Sequence, residues 1–347
     1  MQKTFGSIAL LGSGETSLAG GRTFEEIAKQ LTPPVHVAVL ETPAGFELNS
    51  AQVAWKVGEF LKTRLQNFNP IVDVIPARKR GTSFSPDDPE ILQALLQANI
   101  IFMGPGSPTY AVRQLQGSLA WNLVRARHRL GASLVFASAA AIAVSEYTLP
   151  VYEIYKVGNE VHAFPGLGLF LDFGLSLSFI PHWNNSDGGA DVDTSRCFVG
   201  SDRFMQWYDL LPANQTIVGL DEHTSLIIDL KAGKCTVSGT NSVTLTRKGN
   251  PEIFHAGSVF PVDKLGKIKY PRTMDEGILS AAWEMASSIE QVQDSNEVPE
   301  EIQKLINDRL DARQRKDWAA ADIIRQQIAA LGWSVLDTPE GQKVVRQ

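Results

Sequence analysis

The sequence predicts an α/β protein: a doubly wound, mostly parallel sheet with an antiparallel β extension and a C-terminal helical hairpin. Three observations carry this reading. From residue 7 to residue 144, short apolar runs alternate with helical stretches at the spacing of strand–helix–strand units. After residue 211 the style changes to short strands joined by turns such as Ala232-Gly233, which marks antiparallel pairing. Beyond Pro299 two helical stretches follow, joined near Lys316-Asp317, and Gly332 is placed to cap the second.

Taken in order, residues 7–11 read as a buried strand ending on Gly12-Ser13-Gly14-Glu15. That turn lacks the third glycine of a dinucleotide fingerprint and has no acidic partner one strand later, which argues against NAD binding. Residues 23–31 read as a helix, 35–40 as a strand closing on Thr42-Pro43-Ala44, and 50–65 as a long amphipathic helix. A strand at 71–75, a helix at 88–97 and a strand at 100–103 lead into Gly104-Pro105-Gly106-Ser107-Pro108-Thr109. Helices at 110–116 and 121–130 precede the strand 134–137. Residues 149–153 read as strand or loop, 175–180 as a strand ending at Pro181-His182-Trp183-Asn184-Asn185, and 192–211 as mostly helical. Short strands at 217–220, 225–230, 235–237 and 243–246 follow. The reading divides the chain into an α/β domain at 1–270, a connecting helix and linker at 271–297, and a helical segment at 298–347, with residues 294–299 as the linker candidate.

Composition limits the function classes. The chain has 347 residues, room for one large domain and an appendage, and a net charge of −6, which argues against a broad nucleic-acid surface. Cys197 and Cys235 offer neither a disulfide framework nor a metal-ligand spacing and read as small buried side chains. Asp187, Asp191 and Asp193 complete no calcium motif and read as a solvated loop. His128 and His162 read as structural or exposed, and Asp221-Glu222-His223 as a turn at the sheet rim. No signal-peptide pattern and no bilayer-length apolar run is seen, so the expectation is a cytoplasmic protein.

The chemistry gathers at Ser138, where an apolar strand turns into an alanine-rich helix. Such a serine is either an ordinary N-cap or the nucleophile of a strained elbow, with nearby amides to hold an oxyanion. In parallel sheets, ligands collect at the carboxyl ends of strands. Gly12-Ser13-Gly14, Thr42-Pro43-Ala44, Gly104-Pro105-Gly106 and Ser138 all lie at such ends, so they are expected around one crevice.

Four motifs together resemble the serine peptidases that include aspartyl dipeptidase and cyanophycinase, relatives of the class I glutamine amidotransferases. They are Phe102-Met103-Gly104-Pro105-Gly106-Ser107, Ser138-Ala139-Ala140-Ala141, Pro181-His182-Trp183-Asn184 and Gly219-Leu220-Asp221-Glu222-His223-Thr224-Ser225-Leu226, and the match covers roughly residues 5–248. The resemblance implies a class I glutamine amidotransferase-like fold without cofactor or metal, and a peptide or amide substrate. It implies Ser138 as nucleophile, His182 as base and an acid at or near Glu153. Amides at Gly104, Gly106 and Ala139 would serve an oxyanion, and Ser107, Thr109, Asn184 and Arg196 would contact substrate, Arg196 pairing with an acidic side chain. Phe136 and Ala140 stand where the family elbow has glycine, and Pro105 replaces a glycine and removes a donor. These departures favour the alternative of an inactive scaffold that binds a small ligand or a protein. Amide transfer from glutamine is disfavoured because it uses a cysteine where Ser138 stands.

The tail resembles something else. Glu300-Glu301-Ile302-Gln303-Lys304-Leu305-Ile306, Arg309-Leu310-Asp311-Ala312-Arg313, Lys316-Asp317-Trp318-Ala319-Ala320-Ala321-Asp322 and Leu336-Asp337-Thr338-Pro339-Glu340-Gly341 are similar to the C-terminal segment of cysteinyl-tRNA synthetase, part of a tRNA-binding region. Basic residues there are balanced by acidic ones, which favours docking or homo-oligomerisation over tRNA contact through 298–347.

Overall fold

The computed structural model describes residues 5–296, 300–315, 317–338 and 341–346. The chain divides into two compact units, Met1–Ala286 and Ser287–Gln347.

In the first unit, five short strands are parallel neighbours: β1 (Ile8–Leu11), β2 (His36–Leu40), β3 (Ile71–Ile75), β4 (Ile100–Met103) and β5 (Ser133–Ala137). Between them run α1 (Leu18–Ala28), α2 (Ser50–Arg64), α3 (Gln93–Gln97), α4 (Pro108–Leu115) and α5 (Leu119–Arg129). β1, β4 and β5 are buried along their whole length, and apolar runs of this kind mark parallel strands covered on both faces. One core cluster joins Phe24, Ile27 and Ala28 of α1 and Ala54, Val57 and Leu61 of α2 to strand residues such as Leu11, Val39, Phe102 and Val135.

After β5 come α6 (Ala139–Ala143), a two-residue ladder of β6 (Tyr147–Thr148) with β7 (Phe164–Pro165), then β8 (Leu177–Ile180) and α7 (Gly200–Asp209). The β-rich part is β9 (Thr216–Leu220), β10 (Thr224–Asp229), β11 (Lys234–Gly239), β12 (Ser242–Arg247), β13 (Asn250–His255) and β14 (Val259–Pro261). The main sheet has the order β14-β11-β10-β1-β5-β4-β2-β3, its first three strands forming an antiparallel extension. A second sheet has the order β13-β12-β9-β8, with β8 and β9 parallel. The strands expected to widen one sheet are therefore shared between two, and the turn from β9 to β10 passes from one sheet to the other.

Two expected helices are shorter than read. Residues 88–92 make turns instead, where the Asp88 carboxylate accepts the Glu90 N–H and α3 starts only at Gln93. Residues 192–199 are not helical, because Arg196, Cys197 and Phe198 all take positive φ. The stretch after Pro150 forms a π-helical turn, Glu153–Val157. α8 (Ser280–Asn296) occupies the first part of the expected linker, and residues 297–299 lie outside the described residues.

In the second unit, α9 (Glu300–Gln314) and α10 (Trp318–Ala330) take the places of the two expected helices, and Gly332 has the positive φ of a helix end. An antiparallel pair not anticipated from the sequence follows, β15 (Trp333–Thr338) with β16 (Gly341–Arg346). Ile302, Ile306, Ile328, Trp333 and Val335 form its small core.

Candidate active site

Ser138 stands at the junction of β5 and α6 with φ 51° and ψ −119°. That region is sparsely populated by residues with a Cβ and costs on the order of 1–3 kcal/mol. The elbow forms without its glycines. Phe136 pairs with Leu10 and Met103 inside the sheet and is fully buried, while Ser138 is half-buried and lines a cavity. The serine is no helix cap, since its side chain makes no capping hydrogen bond.

His182 follows β8 in the second sheet and also has positive φ, 49°. Its N–H donates to the Gly12 carbonyl at the end of β1, which brings it back to the rim of the main sheet. Ser138 Oγ lies 2.9 Å from His182 Nε2, and His182 Nδ1 lies 2.9 Å from Glu222 Oε1. With the proton on Nδ1, the imidazole donates to the carboxylate and accepts from the serine. Glu222 Oε1 also accepts from Asn185 Nδ2 at 3.0 Å, and the Glu222 N–H donates to Asn184 Oδ1 at 2.8 Å. Burial opposes ionisation of Glu222, but the hydrogen bonds from His182 and Asn185 and the positive field of the imidazoles outweigh it, holding its carboxyl below the usual range.

The carboxylate on His182 is thus Glu222, not Glu153. Glu153 is turned to Thr109, whose hydroxyl donates to its Oε1, and its Oε2 is buried without a hydrogen-bond partner. Glu222 occupies the turn between β9 and β10, the sequence Asp221-Glu222-His223 that reads as a structural rim. A usable signal was present: a polar triplet at the carboxyl end of a strand, the same rule that nominates the glycine loops.

The remaining predicted residues separate into two groups. Gly106 and Ala139 line the cavity beside Ser138, and the Ala139 amide is at the first position of α6, where no intrahelical acceptor exists. Gly106 has φ 141°, and a Cβ there would stand 2.0 Å from the Pro43 carbonyl oxygen, so only glycine fits. Gly104 does not line this cavity; its carbonyl accepts the Ala140 N–H. Ser107 caps α4 and bonds Thr109, and Thr109 is buried against Glu153. Asn184 holds Glu222 instead of facing the cavity. Arg196 also faces away from it: its guanidinium stacks 3.8 Å from the Trp183 ring centre and donates to the Trp183 carbonyl.

The cavity measures about 220 Å³ and is walled by Pro108, Ile142, Val151, Tyr152, Tyr155 and Phe198, among others. Phe198 packs on the His182 ring at 5.3 Å. Burial pushes the Cys197 thiol up to about 12, so it stays protonated and inert beside the cavity. Of the eight non-glycine residues with positive φ among the described residues, Ser138, His182, Arg196, Cys197, Phe198 and His223 belong to this site or its supports. Strain of this kind persists only where the surrounding structure enforces it. Among the described residues no group of three His, Cys, Asp or Glu converges on a metal position, and no helix is long and apolar enough to cross a membrane.

Comparison with known proteins gives a different likeness for each unit. The chain shares its fold with a crystal structure of a peptidase from an acI-B1 actinobacterium, at a TM-score of 0.59 and 20% identity, covering 75% of this chain and 98% of that one. Residues 295–344 match the family described as cysteinyl-tRNA ligase anticodon binding domain. The chain is 52% identical over 48 residues to cysteine–tRNA ligase 1 of Burkholderia lata and 48% identical over 48 residues to cysteine–tRNA ligase of Methanosarcina mazei. These matches cover 14% of this chain, which spans about 10% of the length of either ligase.

Proposed function

We propose that the first unit is a serine hydrolase that cuts a peptide or amide bond. One observation carries this reading: a strained Ser138 hydroxyl, His182 and Glu222 are linked in sequence at 2.9 Å per step, at the edge of a cavity. In this reading His182 takes the serine proton as Oγ attacks the substrate carbonyl, and the Glu222 carboxylate holds the imidazole in its tautomer and stabilises the imidazolium. The amides of Gly106 and Ala139 receive the oxyanion. His182 then gives its proton to the leaving amine, and water repeats the sequence to free the acid and restore the serine. The shared fold with a peptidase is consistent with this chemistry, and fold alone does not assign it.

The test is labelling by a fluorophosphonate probe. Wild-type protein is expected to be labelled at Ser138, and labelling should vanish in Ser138→Ala and fall steeply in His182→Ala. An unlabelled but folded wild type would favour the inactive scaffold.

A second reading concerns the C-terminal unit, favoured by the match over residues 295–344. In it this unit contacts tRNA, with the Arg313 guanidinium 5.8 Å from the ring centre of an exposed Trp318 as a stacking platform. Filter binding of tRNA over a salt series tests it; affinity that falls steeply with salt and is lost in Trp318→Ala supports it, and no binding at low salt rejects it.

A further inference from the structure

The cavity beside Ser138 and a wider outer cleft of about 500 Å³ have two side chains in common, Tyr152 and Lys156. Lys156 belongs to the π-helical turn and Tyr152 precedes it. They form a threshold between the two spaces.

The inner space is aliphatic and aromatic. No carboxylate lines it, and Lys156 is the one lysine or arginine that does, among the described residues. A carboxylate taken deep into such a wall would lose its water, and away from Ser138 and the amides reserved for the oxyanion the wall offers it no donor. Arg196, the cation expected to meet an acidic side chain, is committed to Trp183. Lys156 is exposed, its ammonium 5.0 Å from the Tyr152 ring centre, with no ion pair to a described carboxylate. The outer cleft adds Arg113, against Glu47, so its charge is net positive.

We propose that the site takes a short acyl amide whose acyl part is apolar and whose leaving group carries a carboxylate, read at the threshold by Lys156. The inner space of about 220 Å³ holds one residue-sized apolar group next to Ser138. The carboxylate stays at the boundary, half in water, where an ammonium attracts it without full desolvation. Arg113 reinforces the field from the outer cleft. For the bond that is cut this assignment rests on the hydrolase reading; for the binding preference it stands on the cavity alone.

The experiment uses the full chain carrying Ser138→Ala, titrated by calorimetry with 4-methylpentanoyl-alanine, 4-methylpentanoyl-alanine amide and succinyl-alanine. The 4-methylpentanoyl acid is expected to bind about tenfold more tightly than its amide, and about tenfold more tightly than succinyl-alanine. Adding Lys156→Met should erase the preference for the acid over the amide, and Lys156→Arg should keep it. No binding of 4-methylpentanoyl-alanine, equal binding of acid and amide, tighter binding of succinyl-alanine, or a preference that survives Lys156→Met each overturns the proposal. Fluorophosphonate labelling of the wild type is scored separately. Unlabelled protein that shows the preference rejects the hydrolase and keeps the Lys156 assignment; labelled protein without the preference does the reverse.

Discussion

In the hydrolase reading Glu222 has two tasks: its charge stabilises the imidazolium that forms as the serine gives up its proton, and its oxygen fixes which ring nitrogen carries the proton. Glu222→Gln keeps the volume and the neighbours but removes the charge. In the hydrolase reading, turnover should fall about 10³–10⁴-fold with a small change in KM, since the lost interaction strengthens only in the transition state. Steady-state kinetics on any amide that is turned over measures this; a loss confined to KM would speak against the role. The same carboxyl makes a prediction about stability. Its pKa is lowered in the folded protein, so its contribution is fully present above its ordinary value of 4.5 and is lost as pH falls through the lower folded value. Wild type should therefore be more stable than Glu222→Gln near neutrality, and the two should converge in denaturant titrations as pH falls below about 4.5. Ser138 and His182 were legible in the sequence because each sits where an apolar run ends in a polar turn. Glu222 also ends an apolar run, but nothing in the local sequence ties it to His182 in place of Glu153, the position the resemblance implies. What brings Glu222 to His182, 40 residues away in the chain, is the pairing of β8 with β9, which no local pattern records.

Two loops hold these residues in place, and each can be tested as an element. The Gly104-Pro105-Gly106 loop is pinned by the Ser107 N–H on the Pro43 carbonyl at 2.9 Å. Gly106→Ala would place a Cβ 2.0 Å from that same oxygen at a φ of 141°, so the loop must move. If the Gly106 amide serves the oxyanion, its displacement should cost about 10²–10³-fold in kcat, while the melting temperature shows whether the fold survives. The second loop is the left-handed turn of Arg196, Cys197 and Phe198. Its amides reach back to the His182 and Trp183 carbonyls, from Cys197 at 3.2 Å and from Arg196 at 3.1 Å. Arg196 clamps this turn on Trp183, and Phe198 then packs on the imidazole. Arg196→Ala should lower kcat more than it raises KM; a loss confined to KM, or none, would make the clamp merely structural. Sequence patterns gave the alternation of β1 to β5 with their helices correctly because period and burial are local properties there. They missed this turn because apolar residues at 192–211 mimic a helical face, while positive φ is imposed by tertiary bonds. The hairpin of β15 and β16 escaped because Trp333–Thr338 and Gly341–Arg346 lack the alternation of apolar and polar residues that marks a half-buried strand.

On the scale of the molecule, every residue of the candidate active site belongs to the first compact unit. A chain ending at Asn296 is therefore expected to retain fluorophosphonate labelling at Ser138, and loss of labelling in a folded product would make the C-terminal unit part of the activity. That shorter chain also isolates the first unit for a test of its acid response. His128 on α5 is fully buried, bonds the Gly6 carbonyl at 3.0 Å and packs against Phe5 and Phe173. Beside it Arg125 and Arg129 of the same helix both pair with Asp172. Burial lowers the His128 pKa to about 4, against the partial support of the Gly6 carbonyl and Asp172, while Arg129 adds to the lowering. The unfolded chain takes up a proton near the ordinary value of 6.5 and the folded chain only near 4, so stability is complete above 6.5 and declines as pH falls between these values. The full decline is about 3 kcal/mol at 1.36 kcal/mol per unit. His128→Gln retains a donor for Gly6 but has nothing to titrate. Guanidinium unfolding of both proteins at pH 7 and pH 4.5 should show wild type losing about 2–3 kcal/mol more than the variant over that interval. Equal losses would mean that the buried imidazole takes up its proton as readily in the folded protein as in the unfolded chain, and the acid sensitivity would then come from other groups.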